Sequence, residues 1–277
     1  MGEWFTYHLN RLGYRLKLYD LNINALEALA GRLKVKPAST LQGAVEDADL
    51  VVLCLPVEAV LETISQVARF MKAGGVLAEV SSVKGDIPQA LIEAHQKWGI
   101  SPLSLHPLFG PGATTLKGRR VALIPLIDRA KELRFTERLF PEATIVAVDA
   151  AVHDRLVAFT LSLIHFINTA LLKALTHEDW KALEELSGTS FTVQRILGEA
   201  LLADRPHVTA ALMAMNTHFP KALSQFLKEC EVLQRMVETK DIEGLERLLE
   251  ELREVVGGRV YESYQKLYRM VTALEEE

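Results

Sequence analysis

DLVVLCLP (49–56) is nearly continuous in Val and Leu. A strand with one wet face alternates apolar and polar residues. One without alternation is covered on both faces, as in a parallel sheet. Residues 57–72 then change to the three-and-four spacing of a helix. The same change of period recurs on both sides of this stretch. YRLKLYD (14–20), GVLAEVSS (75–82), SPLSLHP (101–107), RRVALIP (119–125) and ATIVAVD (143–149) read as further strands, with helical patterns over 2–12, 22–33 and 86–97. Strand and helix in alternation predict a doubly wound α/β sheet over residues 1–149, the dinucleotide-binding arrangement of the Rossmann type.

After residue 150 the strand signals stop. Residues 151–175, 178–203, 207–238 and 241–275 carry helical periodicity, which predicts an all-α domain over 150–277. VAFTLSLIHFINTALLKAL (157–175) has almost no polar face, and a helix apolar all round is a buried helix. Two coverings compete: a partner chain, which makes the protein a homodimer, or the core of its own domain.

The chain has 277 residues, with 49% hydrophobic and 24% charged residues, enough for a sizeable core in one large or two ordinary domains. Net charge is −5 and no basic run stands out, so phosphate-driven nucleic-acid binding is not expected. Two cysteines, Cys54 and Cys230, make neither a disulfide framework nor a metal-ligand spacing, which suits a cytoplasmic protein without a metal site. No signal core or membrane-spanning run is read in the sequence, and no internal repeat or low-complexity segment.

MGEWFTYHLNRLGYRLKLYD (1–20) has the later parts of a dinucleotide-binding unit: helix, second strand and closing acid. Gly2 stands where the third glycine of G-x-G-x-x-G belongs, and Asp20 follows eighteen residues later, the spacing of an acid that holds the adenosine ribose hydroxyls. The first strand and the first two glycines are missing. The competing reading of Asp20 is a turn residue. Pro56 and Val57 follow a strand at the edge where open α/β sheets bind ligands. Their competing reading is a simple strand end before a helix. SLHPLFGPGA (104–113) puts His106 at a strand end, with Pro107 holding its backbone extended and glycines permitting a tight turn. It reads as a general base or as a strand cap.

Together these stretches resemble prephenate dehydrogenases of the archaeal type. MGEWFTYHLNRLGY is similar to the helix after that family's Gly-rich turn, DLVVLCLPVEAV to its cofactor loop, EVSSVKGDIPQAL to its Ser-x-Lys segment, HPLFGPG to its catalytic corner and HDRLVAFTLSLIHF to the first long helix of its dimerisation domain. The resemblance runs to about residue 270. It implies oxidative decarboxylation of prephenate to 4-hydroxyphenylpyruvate, a step of tyrosine biosynthesis, with hydride passing to NAD. It implies His106 as the base, Ser82 as the hydroxyl orienting it or the substrate, and His165 as a substrate contact from the second domain. Without the resemblance Ser82 is a turn former, Lys84 either an anion attractor or a solvated lysine, and His165 a core histidine. His153-Asp154 reads as a helix start. The carboxylate-binding arginine is the weak point: Arg195 lies eleven residues before Pro206, where the family has about six. Five residues are about 140° around a helix. Arg195, Arg205 and Arg155 all remain candidates.

Within the resemblance, arogenate dehydrogenase is the same reaction on the amino-acid analogue. A β-hydroxyacid dehydrogenase shares the domain order but uses a lysine on a long helix. The third alternative is a homologue that dimerises without catalysis. The chain as written is expected to bind NAD poorly, since the missing strand is central to such sheets and the missing glycines approach the pyrophosphate.

Overall fold

The computed structural model describes residues 1–203 and 205–275, in two compact units, Met1–Val157 and Ala158–Glu277. The first unit holds a five-stranded sheet in the order β1 (Leu50–Leu53), β2 (Val76–Glu79), β3 (Ser101–Pro107), β4 (Arg120–Ile124) and β5 (Thr144–Ala147). The strands β1, β2 and β3 are parallel. β4 runs antiparallel to β3, and β5 runs parallel to β4. The reason lies in the connections. Parallel neighbours need a crossover, supplied between β1 and β2 by α4 (Val57–Ala68), between β2 and β3 by α5 (Ile87–Trp98) and between β4 and β5 by α6 (Arg129–Leu139). Residues 108–119 contain no helix, so the chain turns back and pairs antiparallel.

Both faces of the sheet are covered. Val51, Leu53 and Leu77 pack with Val60, Ile64 and Leu91 of α4 and α5. Leu50, Val52, Ala78, Leu103 and Leu105 point the other way, toward Phe5 and Leu9 of α1 (Gly2–Arg11) and Leu139 of α6. Successive residues serve opposite faces, which is why 49–56 shows no polar alternation. The unit also contains α2 (Ile23–Leu33), α3 (Leu41–Val45) and α7 (Ala150–Val157).

The segment 14–20 is not a strand. It makes one isolated parallel bridge, Leu18 to Pro37. Its apolar alternation is real, but no ladder partner lies beside it among the described residues, and a pattern without a partner forms no strand. α3 and α6 carry no clear helical periodicity in the sequence. α6 is polar on average, and its fully buried residues, four and three apart, are Glu132, Thr136 and Leu139.

The second unit begins with a π-helical turn, Ala158–Ser162, and continues as α8 (Leu163–Leu175), α9 (Trp180–Glu185), α10 (Thr189–Ala200), α11 (Pro206–Ala214), α12 (Phe219–Glu238), α13 (Ile242–Val256) and α14 (Arg259–Glu275). Its core contains Ala158, Leu163, Phe219 and Ala222, with Phe166, Ile167, Met213, Leu223 and Phe226 against them. Three long helical patterns of the sequence are each broken in two. One break is at Gly257, whose φ of 64° lies in the left-handed region that glycine tolerates. The helical run Ala150–Leu175 is long and apolar enough to cross a membrane by length and composition alone, contrary to the expectation that no such run exists. His153, Asp154 and Asn168 interrupt it as buried polar groups.

Candidate active site

The carboxyl ends of β1, β2 and β3 lie on one edge of the sheet, because the three strands are parallel. The pairing of Glu79 with Ser104 closes the β2–β3 ladder, two residues before Ser81 on one strand and His106 on the other. Glu79, Ser104 and His106, two residues apart along their strands, share one face of the sheet. An otherwise apolar surface therefore ends in a polar strip.

Two buried chains of hydrogen bonds meet in this strip. In the first, His106 Nδ1 lies 2.9 Å from His153 Nε2, and His153 Nδ1 lies 2.8 Å from Asp154 Oδ1. The Asp154 carboxylate also accepts the backbone N–H groups of Lys84, at 3.0 and 3.1 Å, and of Gly85, at 2.8 Å. In the second, Lys84 Nζ donates to Glu79 Oε1 at 2.7 Å and to the Leu105 carbonyl at 2.6 Å. Glu79 also accepts the Ser104 hydroxyl and the Ser81 N–H. The Lys84 and Glu79 side chains are fully buried.

Burial sets the electrostatics. His106 is 5% exposed. Its pKa is pushed well below the ordinary histidine value, first by burial and then by the Lys84 and His153 charges nearby. The imidazole is therefore neutral at physiological pH, with a proton-accepting nitrogen available. Its Nε2 has no hydrogen-bond partner among the described residues. Burial pushes the Asp154 carboxyl up, but the hydrogen bonds from His153 and from the Gly85 and Lys84 N–H groups outweigh it and hold the pKa below the ordinary value. Burial also lowers Lys84, against the pull of Glu79.

Several sequence expectations change here. Lys84 neither attracts an external anion nor sits in solvent; it is sealed against Glu79. Asp154 does not start a helix. α7 begins at Ala150 and Asp149 caps it, accepting the N–H groups of Ala151 and Val152. His153, Asp154 and Glu79 were missed as site residues. The adjacent His-Asp pair was the available signal, but nothing local shows that it reaches a strand 47 residues away.

Ser82 follows β2, half-buried, and its hydroxyl has no hydrogen-bond partner among the described residues. Its neighbour Ser81 is buried, and that hydroxyl is likewise without a partner among them. Gly2 starts α1 beside the end of β1, where a Cβ built on it would lie 3.6 Å from Cys54 Cβ, an ordinary contact. Pro56 precedes α4 and is exposed, and Val57 opens that helix. Asp20 accepts the Asn22 N–H at 2.8 Å, a turn contact that engages one carboxylate oxygen. An orphaned buried hydroxyl, an open imidazole nitrogen and a close helix start on one strand edge fit a dinucleotide and a small hydroxylated substrate. Gly2, Pro56 and Val57 lie at that edge and could hold such a cofactor.

His165 and Arg195 belong to the second unit. His165 is half-buried on α8, where its carbonyl accepts the Thr169 hydroxyl. Arg195 Nη1 on α10 donates to both carboxylate oxygens of Glu199, at 2.7 and 2.8 Å, with Glu184 at 3.6 Å. Part of its guanidinium is therefore already spent on its own helix.

Two family models match the chain: the nucleotide-binding domain of prephenate dehydrogenase over residues 5–146, and the dimerization domain of prephenate dehydrogenase over 149–251. A probable arogenate/prephenate dehydrogenase of Methanocaldococcus jannaschii is 22% identical across the whole chain, which spans 64% of that relative's length. A 4-amino-4-deoxyprephenate dehydrogenase of Streptomyces pristinaespiralis is 28% identical over 99% of the chain and 94% of the relative. Among solved structures, prephenate dehydrogenase from Aquifex aeolicus, in complex with hydroxyphenyl propionate and NAD⁺, aligns with a TM-score of 0.73 at 19% identity, covering 91% of this chain and 92% of that one. Synechocystis arogenate dehydrogenase aligns with a TM-score of 0.68 at 20% identity, covering 91% and 94%. At these identities the solved structures establish the shared fold.

Proposed function

The chain belongs to the prephenate dehydrogenase family, and from that premise we propose that it catalyses the oxidative decarboxylation of prephenate to 4-hydroxyphenylpyruvate with NAD as hydride acceptor. The observation that carries the reading is the buried, neutral His106 at the carboxyl end of β3, with Nε2 open. NAD, when bound, supplies the acceptor for the hydride leaving the hydroxyl-bearing ring carbon. His106 Nε2 takes the proton from that hydroxyl as its C–O bond gains carbonyl character. The ring carboxylate departs as CO₂ and its bonding pair completes the aromatic ring. Ser82 orients the hydroxyl. Gly2, Pro56 and Val57 hold the cofactor, and the free oxygen of Asp20 accepts from the ribose hydroxyls, which favours NAD over NADP. In the second unit, His165 and Arg195 are assigned to the substrate. The protein works as a homodimer, supported by the dimerization-domain match, and its free cysteines Cys54 and Cys230 suit a reducing cytoplasm.

Arogenate presents the same ring to His106 and differs only in the side chain, so the base does not discriminate the two. The Streptomyces relative, by its name, acts on the 4-amino analogue of the ring. Steady-state NAD reduction with prephenate, arogenate and 4-amino-4-deoxyprephenate tests the assignment. Prephenate is expected to give the highest kcat/KM. A higher value for either analogue reassigns the substrate, and oxidation of none refutes the reading.

A further inference from the structure

His153 and Asp154 have no assigned part in the proposed reaction, yet they are buried, 3% and 5% exposed, and connected in series to the base. The connection has a direction. A carboxylate only accepts, so the proton between His153 and Asp154 sits on His153 Nδ1. In a neutral His153 that leaves Nε2 as an acceptor. The 2.9 Å contact to His106 then requires His106 Nδ1 to be the donor. His106 Nδ1 carries the hydrogen and His106 Nε2 carries the lone pair. One carboxylate thus determines the tautomer of a base two residues down the chain of contacts.

We propose that Asp154 and His153 form a proton relay that holds His106 in the tautomer with Nε2 as the acceptor and receives its positive charge when the substrate proton arrives. The balance is simple. The substrate O–H bond breaks and an Nε2–H bond forms on His106. The Nδ1–H of His106 passes to His153 Nε2, so the charge moves one ring deeper, beside the Asp154 carboxylate. The other charged groups near His106, Lys84 and Glu79, are paired with each other. Asp154 also fixes the backbone of Lys84 and Gly85, tying α7 to the loop that carries Ser82. His153 and Asp154 are positioning residues: they act through His106. The proposal rests on the reading of His106 as the base.

Asp154→Asn separates the relay from this structural tie. The amide oxygen can keep the Lys84 and Gly85 N–H groups, which turns the amide NH₂ toward His153 Nδ1. That nitrogen must now accept, so His153 carries its hydrogen on Nε2 and donates to His106 Nδ1. His106 is left with its hydrogen on Nε2 and no outward lone pair. In a serine-protease triad the equivalent replacement leaves the geometry intact and selects the wrong tautomer.

The experiment is ¹⁵N-histidine NMR of the full chain at neutral pH, with the two rings assigned through His106→Gln and His153→Gln. Wild type is expected to show His106 protonated on Nδ1, and Asp154→Asn to show it protonated on Nε2. In the same variant kcat is expected to fall roughly 10²–10⁴-fold, with NAD affinity within about twofold of wild type, as for a lost base. A wild-type His106 protonated on Nε2 overturns the proposal without any variant. So does an unchanged tautomer, or unchanged kcat, in Asp154→Asn. If wild type oxidises none of the three substrates but the tautomer reverses, the relay stands and the assignment of function falls.

Discussion

His106 was legible because its signal is local: a histidine, a proline and two glycines within seven residues. Its surroundings were not. Sequence reading gives an unperturbed imidazole titrating near pH 6.5, whereas the folded protein buries it beside Lys84 and lowers its pKa well below that. His106→Asn is expected to lower kcat by roughly 10²–10⁴-fold, leaving NAD binding nearly unchanged. The acid limb of the wild-type rate is expected below the ordinary histidine range and is expected to vanish from the residual activity of the variant. The linkage has a definite sign. Folding lowers the pKa, so the unfolded chain binds more protons between the folded value and about 6.5. The stability contribution is fully present above the unfolded pKa and is lost as pH falls through that window. Urea midpoints of the wild type should therefore drop between pH 7.5 and 5 more steeply than those of His106→Asn. Equal slopes would place the titrating group elsewhere.

At the scale of elements, the two-sided strands were readable and the polar helix was not. β1 and β2 announce themselves because both faces are apolar. α6 is polar on average, and Glu132 on its first turn accepts the N–H groups of Leu126, Ile127 and Asp128, at 2.9, 2.8 and 2.9 Å. That carboxylate, 6% exposed, shapes the turn from β4 into the helix. Glu132→Ala leaves three backbone donors without their acceptor and is expected to destabilise the first unit by about 1–3 kcal/mol, read by urea denaturation. A variant as stable as wild type would show that water replaces the carboxylate at no cost. The segment 14–20 teaches the converse. Its alternation is that of a strand, but a strand is a relation between two segments, and a sequence pattern describes only one.

At the scale of the whole molecule, the second unit buries few large side chains for its length, and Phe159 and Ile164 on its first helical run remain 39% and 48% exposed. Apolar surface of that kind marks an interface. We expect a homodimer in sedimentation velocity at micromolar concentration, and dissociation toward monomer in Ile164→Asp, which places a charge in a dry contact. A monomeric wild type would remove the oligomeric part of the proposed function. A dimeric variant would move the interface to another face.

The sequence by itself determined the α/β unit followed by helices, the covered strands, the His106 corner and the family resemblance. Each depends on residues close together in the chain, where periodicity and spacing act. Only the tertiary structure decided that β4 reverses, that Lys84 is sealed against Glu79, and that Asp154 and His153 stand behind His106. The His106–His153 contact and the bond from the Lys84 N–H to Asp154 join residues 47 and 70 positions apart. A hydrogen bond over that separation depends on strand register and helix placement, which the packing of the whole unit sets.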